Sequence, residues 1–239
     1  MPEFVMGNLT KLTPIHTRAK ALDAEFGFRA GWCVVDSFSH SENEVTAASN
    51  GVSIADDSAR GKLAIEGDLS ETIVQTILGA PNLKVSAGAS FRYGHVYRLR
   101  DDSYYACTSP GLEANTLKAL TAATQKQSGL VTITDITHGS AELRVIGPDS
   151  RALLSRLCGL DFSTAAFPNL TAMQSSVAKT TQIIIRCDVG HTLAFSLIGA
   201  RSLAAYLWDT LMEAGRDLTI IPIGQTVLAD LETSVPHNT

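Results

Sequence analysis

The chain repeats itself, and that constrains its fold more than any single motif does. Ile54-Ala55-Asp56-Asp57-Ser58 matches Ile133-Thr134-Asp135-Ile136-Thr137, sharing the pattern I-x-D-x-[S/T]. One extra residue in the second copy then aligns Lys62-Leu63-Ala64-Ile65-Glu66-Gly67 with Glu142-Leu143-Arg144-Val145-Ile146-Gly147. Further on, Ile73, Ile77 and Gly79 meet Leu153, Leu157 and Gly159. Internal self-similarity reports a duplicated structural unit. The fold must therefore hold two like halves.

Each copy opens with a strand ending in an Asp/Ser turn, then a strand of period two such as Glu142-Leu143-Arg144-Val145-Ile146, closed by a Gly. Helices follow near 69–78 and 149–158, because Asp68-Leu69-Ser70-Glu71 and Pro148-Asp149-Ser150 suit the free N–H groups of a first turn. Val96–Leu99 with Tyr104–Cys107, and Ile183–Arg186 with Leu193–Leu197, read as hairpins. Longer helical patterns close each copy, over 112–127 and 201–214. In the second, Leu203, Leu207, Trp208 and Leu211 form an apolar stripe, which is a core face. The fold class is α+β: two halves related by a pseudo-twofold, each with β-strands and two helices. Repeat one spans about 54–127 and repeat two about 133–215, packed as a single domain over 1–239. Segments 1–53 and 216–239 flank them, with Ser37–Asn50 a loop or short helix and Thr233–Thr239 frayed. Two packed halves leave a cleft for a ligand.

Composition narrows the function classes. Hydrophobic residues at 45% and charged residues at 18% exclude intrinsic disorder. A net charge of −5 with no Lys/Arg cluster argues against nucleic acid and anionic membrane as partners. Cys33, Cys107, Cys158 and Cys187 are far apart and read as reduced, mostly core thiols. The N-terminus lacks the apolar core of a signal peptide, and no apolar run nears the ~20 residues needed to span a bilayer. A cytoplasmic protein is expected.

Local motifs add little. G-x-G-x-x-G, the P-loop, G-x-S-x-G and H-E-x-x-H are all missing, and His16, His40, His95, His138, His191 and His237 have no ligand spacing, so no metal site is expected. Asp56-Asp57-Ser58 and Asp135-Ile136-Thr137 could serve a ligand or a metal, but their equivalent repeat positions favour structural turns. Phe91-Arg92-Tyr93-Gly94-His95 combines an aromatic, a cation and a proton carrier. It is either the wall of a cleft for a flat anionic ligand or a solvated loop.

Leu12-Thr13-Pro14-Ile15-His16, Gly31-Trp32, Gly51 to Ser58, Gly61-Lys62 and Gly67 together resemble the opening of the glycine cleavage T-protein (aminomethyltransferase) superfamily. The second half is similar to the sarcosine oxidase gamma subunit, through Asp135-Ile136-Thr137, Gly147-Pro148, Cys158-Gly159-Leu160-Asp161, Ala166-Phe167-Pro168, Ile185-Arg186 and Tyr206-Leu207-Trp208. The resemblance implies a folate-binding (aminomethyltransferase-like) fold. It also implies either transfer of a one-carbon unit from an N-methyl or aminomethyl donor to tetrahydrofolate, or service beside a flavoenzyme subunit that does so.

The departures from that family shape the expectation. The Asp-Asp that catalytic members carry in the first half has no counterpart near Tyr93-Gly94-His95-Val96. The R-x-G-Y-T-G-E segment keeps its Arg as Arg186 in Ile185-Arg186-Cys187-Asp188-Val189-Gly190-His191, without the Tyr or Glu. No Arg follows Pro222-Ile223-Gly224, and the T-protein's C-terminal β-domain is not expected in this chain. The leading expectation is a non-catalytic subunit or accessory protein of an oxidase or demethylase system that delivers one-carbon units to tetrahydrofolate. Its partner would be a flavoprotein. The alternative is a stand-alone tetrahydrofolate-dependent aminomethyl or methyl transferase with a rearranged site. In it, Tyr93, Arg186 and Asp188 hold the cofactor and His95 carries the proton, its ordinary pKa near ~6.5 being suitable.

Overall fold

The duplication folds by exchanging strands. A computed structural model describes residues 10–38, 41–125 and 128–233. The N-terminal flank holds β1 (Lys11–Leu12), α1 (His16–Ala21), β2 (Glu25–Arg29), β3 (Trp32–Ser37) and α2 (Ser41–Asn50). The first repeat supplies β4 (Ser53–Asp56), β5 (Gly61–Glu66), α3 (Ser70–Ile73), β6 (Gly88–Phe91), β7 (Gly94–Arg100), β8 (Ser103–Thr108) and α4 (Glu113–Thr124). The second supplies β9 (Thr132–Asp135), β10 (Ser140–Ile146), α5 (Ser150–Ser155), β11 (Thr171–Val177), β12 (Thr180–Arg186), β13 (Ala194–Ala200) and α6 (Ala204–Ala214). The tail adds β14 (Ile221–Pro222) and α7 (Gln225–Thr233).

One sheet runs β11-β12-β13-β10-β4-β14 and the other β6-β7-β8-β5-β9. The first strand of each repeat, β4 or β9, lies beside the second strand of the other repeat, β10 or β5. Register is the same in both: Leu143 opposes Asp56 and Val145 opposes Ile54, while Leu63 opposes Asp135 and Ile65 opposes Ile133. These are one contact made twice. The I-x-D-x-[S/T] motif makes the splice. Asp56 Oδ1 accepts the Ser58 amide at 3.1 Å, and Asp135 Oδ1 accepts the Thr137 amide at 2.9 Å. Each turn hydroxyl then reaches across: Ser58 Oγ accepts the Glu142 amide at 3.0 Å, and Thr137 Oγ1 accepts the Lys62 amide at 2.9 Å. The expected structural turns are thus the seams between the halves.

Helices cover the outer faces. Leu207, Trp208 and Leu211 of α6 pack with Leu143, Val145, Ile184 and Phe195, while Ile73, Val74 and Leu120 pack with Leu63, Ile65, Val96 and Tyr104. Between the sheets, Tyr97, Tyr105 and Cys107 meet Ala172, Ile185 and Ile198. Strands β8 and β10 are consequently buried at every residue. The period-two pattern of β10 therefore does not sort core from water: Leu143 and Val145 face helices, whereas Glu142 and Arg144 are buried on the other face.

The helix boundaries shift for local reasons. The helix expected near 69–78 is α3 continued by a wider π-type turn, Val74–Leu78, which ends at Gly79 with φ +68°, a left-handed conformation that favours glycine. Helix α5 stops at Ser155, after which the Leu157 carbonyl accepts the Ala178 amide. Leu203 lies in a 3₁₀ turn ahead of α6 and is exposed, so Ala204 takes its place in the stripe. Gln127 and residues 234–239 fall outside the described residues, and Thr233 closes α7.

The flanks are more structured than the repeat pattern suggested. Strands β1, β3 and β2 form a small sheet, and α7 packs on β3. Gly224 permits that approach, because a Cβ there would sit 2.1 Å from the Asp36 carbonyl oxygen. Glu44 of α2, fully buried, accepts the amides of Phe38 at 2.8 Å and Gly224 at 2.9 Å, tying flank to tail.

Two outcomes follow from the exchanged strands. Ser58→Ala or Thr137→Ala leaves a buried strand amide without its acceptor, so each is expected to cost about 1–3 kcal/mol in denaturant unfolding. The chain should also unfold in one transition, since neither half completes its sheet alone; two separated calorimetric transitions would show independent halves.

Candidate functional site

The inter-sheet layer opens at one end into a cavity of about 480 Å³. The β4–β5 turn supplies Asp57 and Arg60, β7 supplies His95, β10 supplies Arg144, and the β12–β13 loop supplies Cys187 and Asp188. Helix α7 closes one wall with Gln225 and Leu228, and Arg29 of β2 and the exposed Glu232 complete the lining. A more open groove of about 730 Å³ between α1 and α6 contains none of the site residues predicted from sequence.

Beneath the cavity lies a buried ionic network. Lys62 and Glu142 are both fully buried, with Nζ 3.2 Å from Oε2. Glu142 Oε1 also receives Arg60 at 3.0 Å and the Ser196 hydroxyl at 2.8 Å. Asp57 Oδ2 lies 3.4 Å from Arg144 and 3.8 Å from Arg60, and Gln225 Nε2 donates to Asp57 Oδ1 at 3.3 Å. Burial pushes the Glu142 carboxyl up, but Arg60, Lys62 and Arg144, with the Ser196 hydroxyl, outweigh it and hold Glu142 down at about 2. Burial pushes the Cys107 thiol up to about 12, so it stays protonated.

The four site residues expected from sequence are placed as follows. His95 and Asp188 line the cavity. Burial, reinforced by the charges of Arg60 and Arg144, lowers His95 to about 4, leaving its imidazole neutral near pH 7. The Cys187 sulfur sits 3.9 Å and 4.0 Å from the two ring nitrogens. Arg186 stands behind Asp188, bonding it at 3.0 Å and 2.8 Å and donating to the Phe167 carbonyl at 2.9 Å. It fixes the Asp188 carboxylate and does not itself line the cavity. Tyr93 occupies the β6–β7 turn beneath the Arg92 guanidinium, 5.2 Å from its ring centroid, and is also outside the lining.

Sequence reasoning missed Arg60, Arg144 and Gln225, and it set Asp57 aside as part of a turn although Asp57 also lines the cavity. One signal was available: the copies differ in charge at Asp57 against Ile136, Lys62 against Glu142, and Ala64 against Arg144. Among the described residues, no three His, Cys, Asp or Glu side chains are placed to hold a metal ion. No helix among them is long and apolar enough to cross a membrane.

Residues 15–234 match the model of the GCVT N-terminal domain. The chain belongs to this family. It is 26% identical over 254 residues to the sarcosine oxidase subunit alpha of Rhizobium meliloti, covering 95% of this chain and 26% of that protein. It is also 26% identical over 237 residues to an aminomethyltransferase of Lysinibacillus sphaericus, covering 92% of this chain and 62% of that one. It thus spans about a quarter of the first relative and about three fifths of the second. In fold, the aminomethyltransferase T of Bartonella henselae superposes with a TM-score of 0.82 at 16% identity, covering 94% of this chain and 62% of that one. A chain of the heterotetrameric sarcosine oxidase from Corynebacterium sp. U-96 gives 0.65 at 16% identity, covering 87% of this chain and 95% of that one. The aminomethyltransferase-like α+β fold expected from sequence is therefore the fold of this family member.

The network sets the acid stability. Glu142 is depressed in the folded state, so its contribution is complete above the ordinary carboxylate range near ~4.3 and is lost as pH falls toward about 2. Glu142→Gln leaves buried cations without their counter-charge and is expected to cost about 3–5 kcal/mol at pH 7. The variant should also lose part of the wild-type acid slope; denaturant midpoints between pH 2 and 7 measure both.

Proposed function

We propose that this chain is a non-catalytic, tetrahydrofolate-binding component of a one-carbon oxidase or demethylase system, working beside a flavoprotein subunit. The observation that carries the reading is that the carboxylates of the inner wall are already held by neighbouring groups. Asp57 is held by Arg144, Arg60 and Gln225, and Asp188 by Arg186. His95, held near 4, is a weak base at neutral pH. A general base works best with a pKa near the operating pH, so this wall suits binding better than proton transfer.

The donor set fits a folate. A pterin and its carboxylate-bearing tail present acceptors and anionic oxygens. Arg144 offers an N–H donor to them, and Asp57 and Asp188 offer acceptors for pterin N–H groups, while Gln225 Nε2 is taken up by the Asp56 carbonyl and Asp57. The Arg144 Nε is buried and has no hydrogen-bond partner. Tetrahydrofolate would supply the acceptor nitrogens for the one-carbon unit, while the chain's own residues bind it and keep water from it. Within this reading His95 hydrogen-bonds the ligand as a neutral ring and Arg186 positions Asp188. Tyr93 lies on the turn beside the cavity mouth. Similarity to a sarcosine oxidase subunit, and to one chain of a heterotetramer, supports a protein partner.

Anaerobic titration calorimetry with tetrahydrofolate tests this. Saturable heat with a Kd near ~1 μM, about −8 kcal/mol, is expected, with no one-carbon transfer by the chain alone. No heat would overturn the folate assignment. Transfer by the isolated chain that His95→Ala abolishes would overturn the non-catalytic assignment.

A further inference from the structure

The duplication outlines a second site away from the central cavity. That cavity forms where the β4–β5 turn, with Asp57 and Arg60, meets the β8–α4 loop, with Ser109 and Pro110. The second copy brings the same two junctions together at the other seam, the β9–β10 turn and the step from β13 into α6, where the Arg201 amide donates to the Gly139 carbonyl at 3.0 Å. Within the layer Ile136 fills this end. At the surface, His138, Gly139, Arg201 and Ser202, with Thr13 of the β1–α1 connection, surround an open depression of about 570 Å³. It shares no lining residue with the central cavity.

Trp32 of β3, 1% exposed, organises the donors there. His138 stacks on it with ring centroids 4.9 Å apart, the Arg201 guanidinium lies 5.7 Å from the same ring, and the Lys11 ammonium lies 5.6 Å from it. A cation held over an indole keeps its charge. Arg201 Nη2 donates to the Leu12 carbonyl, while Nη1 is shielded from water and has no hydrogen-bond partner. Ser202 adds a hydroxyl on the 3₁₀ turn that opens α6, where the first N–H groups of a helix lack helical partners. Among the described residues, Lys11, His138 and Arg201 form no ion pair. Two carboxyls lie near, and neither lines the depression. Asp56, beside Thr13, gives Oδ1 to the Ser58 amide, and burial pushes its carboxyl up toward the neutral form. Asp135, three residues before His138, gives Oδ1 to the Thr137 amide.

A carboxylate is satisfied by one guanidinium edge. A guanidinium, an imidazole, a hydroxyl and helix-start amides brought together from two junctions suit an anion with oxygens on several sides. We propose that this depression is a second ligand site, for a phosphate group. Because it is open, it holds the phosphate and leaves whatever carries it in solvent. The group has two sources, inorganic phosphate itself or a small phosphomonoester. The assignment is independent of what fills the central cavity.

Inorganic phosphate titrated into the intact chain, followed by calorimetry and by NMR of the His138 and Trp32 rings, tests this. Saturable heat is expected, with the His138 and Trp32 signals moving and that of His95 unmoved. Arg201→Gln should weaken phosphate by about tenfold or more, and His138→Gln, on an exposed turn, by about threefold or more; the second variant serves even if the first fails to fold. Tighter binding of glycerol 3-phosphate would place the group on an organic ligand, and equal or weaker binding would make free phosphate the ligand; both keep the site. Failure to saturate, movement of His95 in place of His138, unchanged affinity in either folded variant, equal affinity for acetate, or displacement of phosphate by tetrahydrofolate would overturn it. Phosphate that binds where tetrahydrofolate does not would sink the folate reading and leave this one standing.

Discussion

Lys62 and Glu142 occupy equivalent positions in the two copies, and their charged ends meet 3.2 Å apart, fully buried where the halves join. A duplicated fold brings equivalent residues face to face at its pseudo-axis, so an unaltered duplication would press like against like there. Two lysines or two glutamates in that position would be uncompensated buried charges. Opposite charges at one repeat position resolve the conflict. The pair also fixes register, because a slip of one residue in either strand would swing its charge onto the helix-covered face. Replacing a buried ion pair with apolar residues is often neutral for stability. The contribution of Lys62 and Glu142 that fits the geometry is specification of the pairing between β4–β5 and β9–β10.

The same network sets the chemistry of the cavity above it. Glu142 is spent on Lys62, Arg60 and Ser196, so it lends the cavity no free acceptor. Burial, reinforced by the charges of Arg60 and Arg144, keeps His95 neutral. An imidazole that is neutral and weakly basic is a hydrogen-bonding group at pH 7, not a proton reservoir. Structural charge and ligand chemistry are therefore a single electrostatic problem in this fold.

Much of this was legible in the sequence, and the losses have physical causes. The repeat, the paired turns at Asp56 and Asp135, both hairpins and the α6 stripe could be read because each is a local pattern. The exchange of β4 and β9 could not, since periodicity reveals a strand without revealing its neighbour. Glu142 and Arg144 alternate with Leu143 and Val145 as a solvent face would, and only the second sheet packed over them makes them interior. The flank 1–53 has no counterpart in the second repeat, so β1, β3 and β2 had no template to be read against. Helix α7 did leave a trace, in Val227, Leu228 and Leu231 at helical spacing. Tyr93 and Arg186 drew attention by residue type, but the turn geometry and the Asp188 pair place them beside the cavity rather than in its wall.

Charge asymmetry between the copies locates the site better than motif does. A strict twofold would give two equivalent cavities, one for each copy of the seam. Here the counterpart of Asp57 is Ile136, which packs against the inter-sheet cluster of Tyr97 and Tyr105, and the counterpart of Arg144 is Ala64. Apolar and small residues close one end of the layer where charged ones hold the other open. Positions that keep their character between copies, such as Asp56 with Asp135 and Ser58 with Thr137, build the frame. Positions that change from apolar to ionic line the cavity, because a group that is costly to bury persists there only when a partner, or a ligand, meets it.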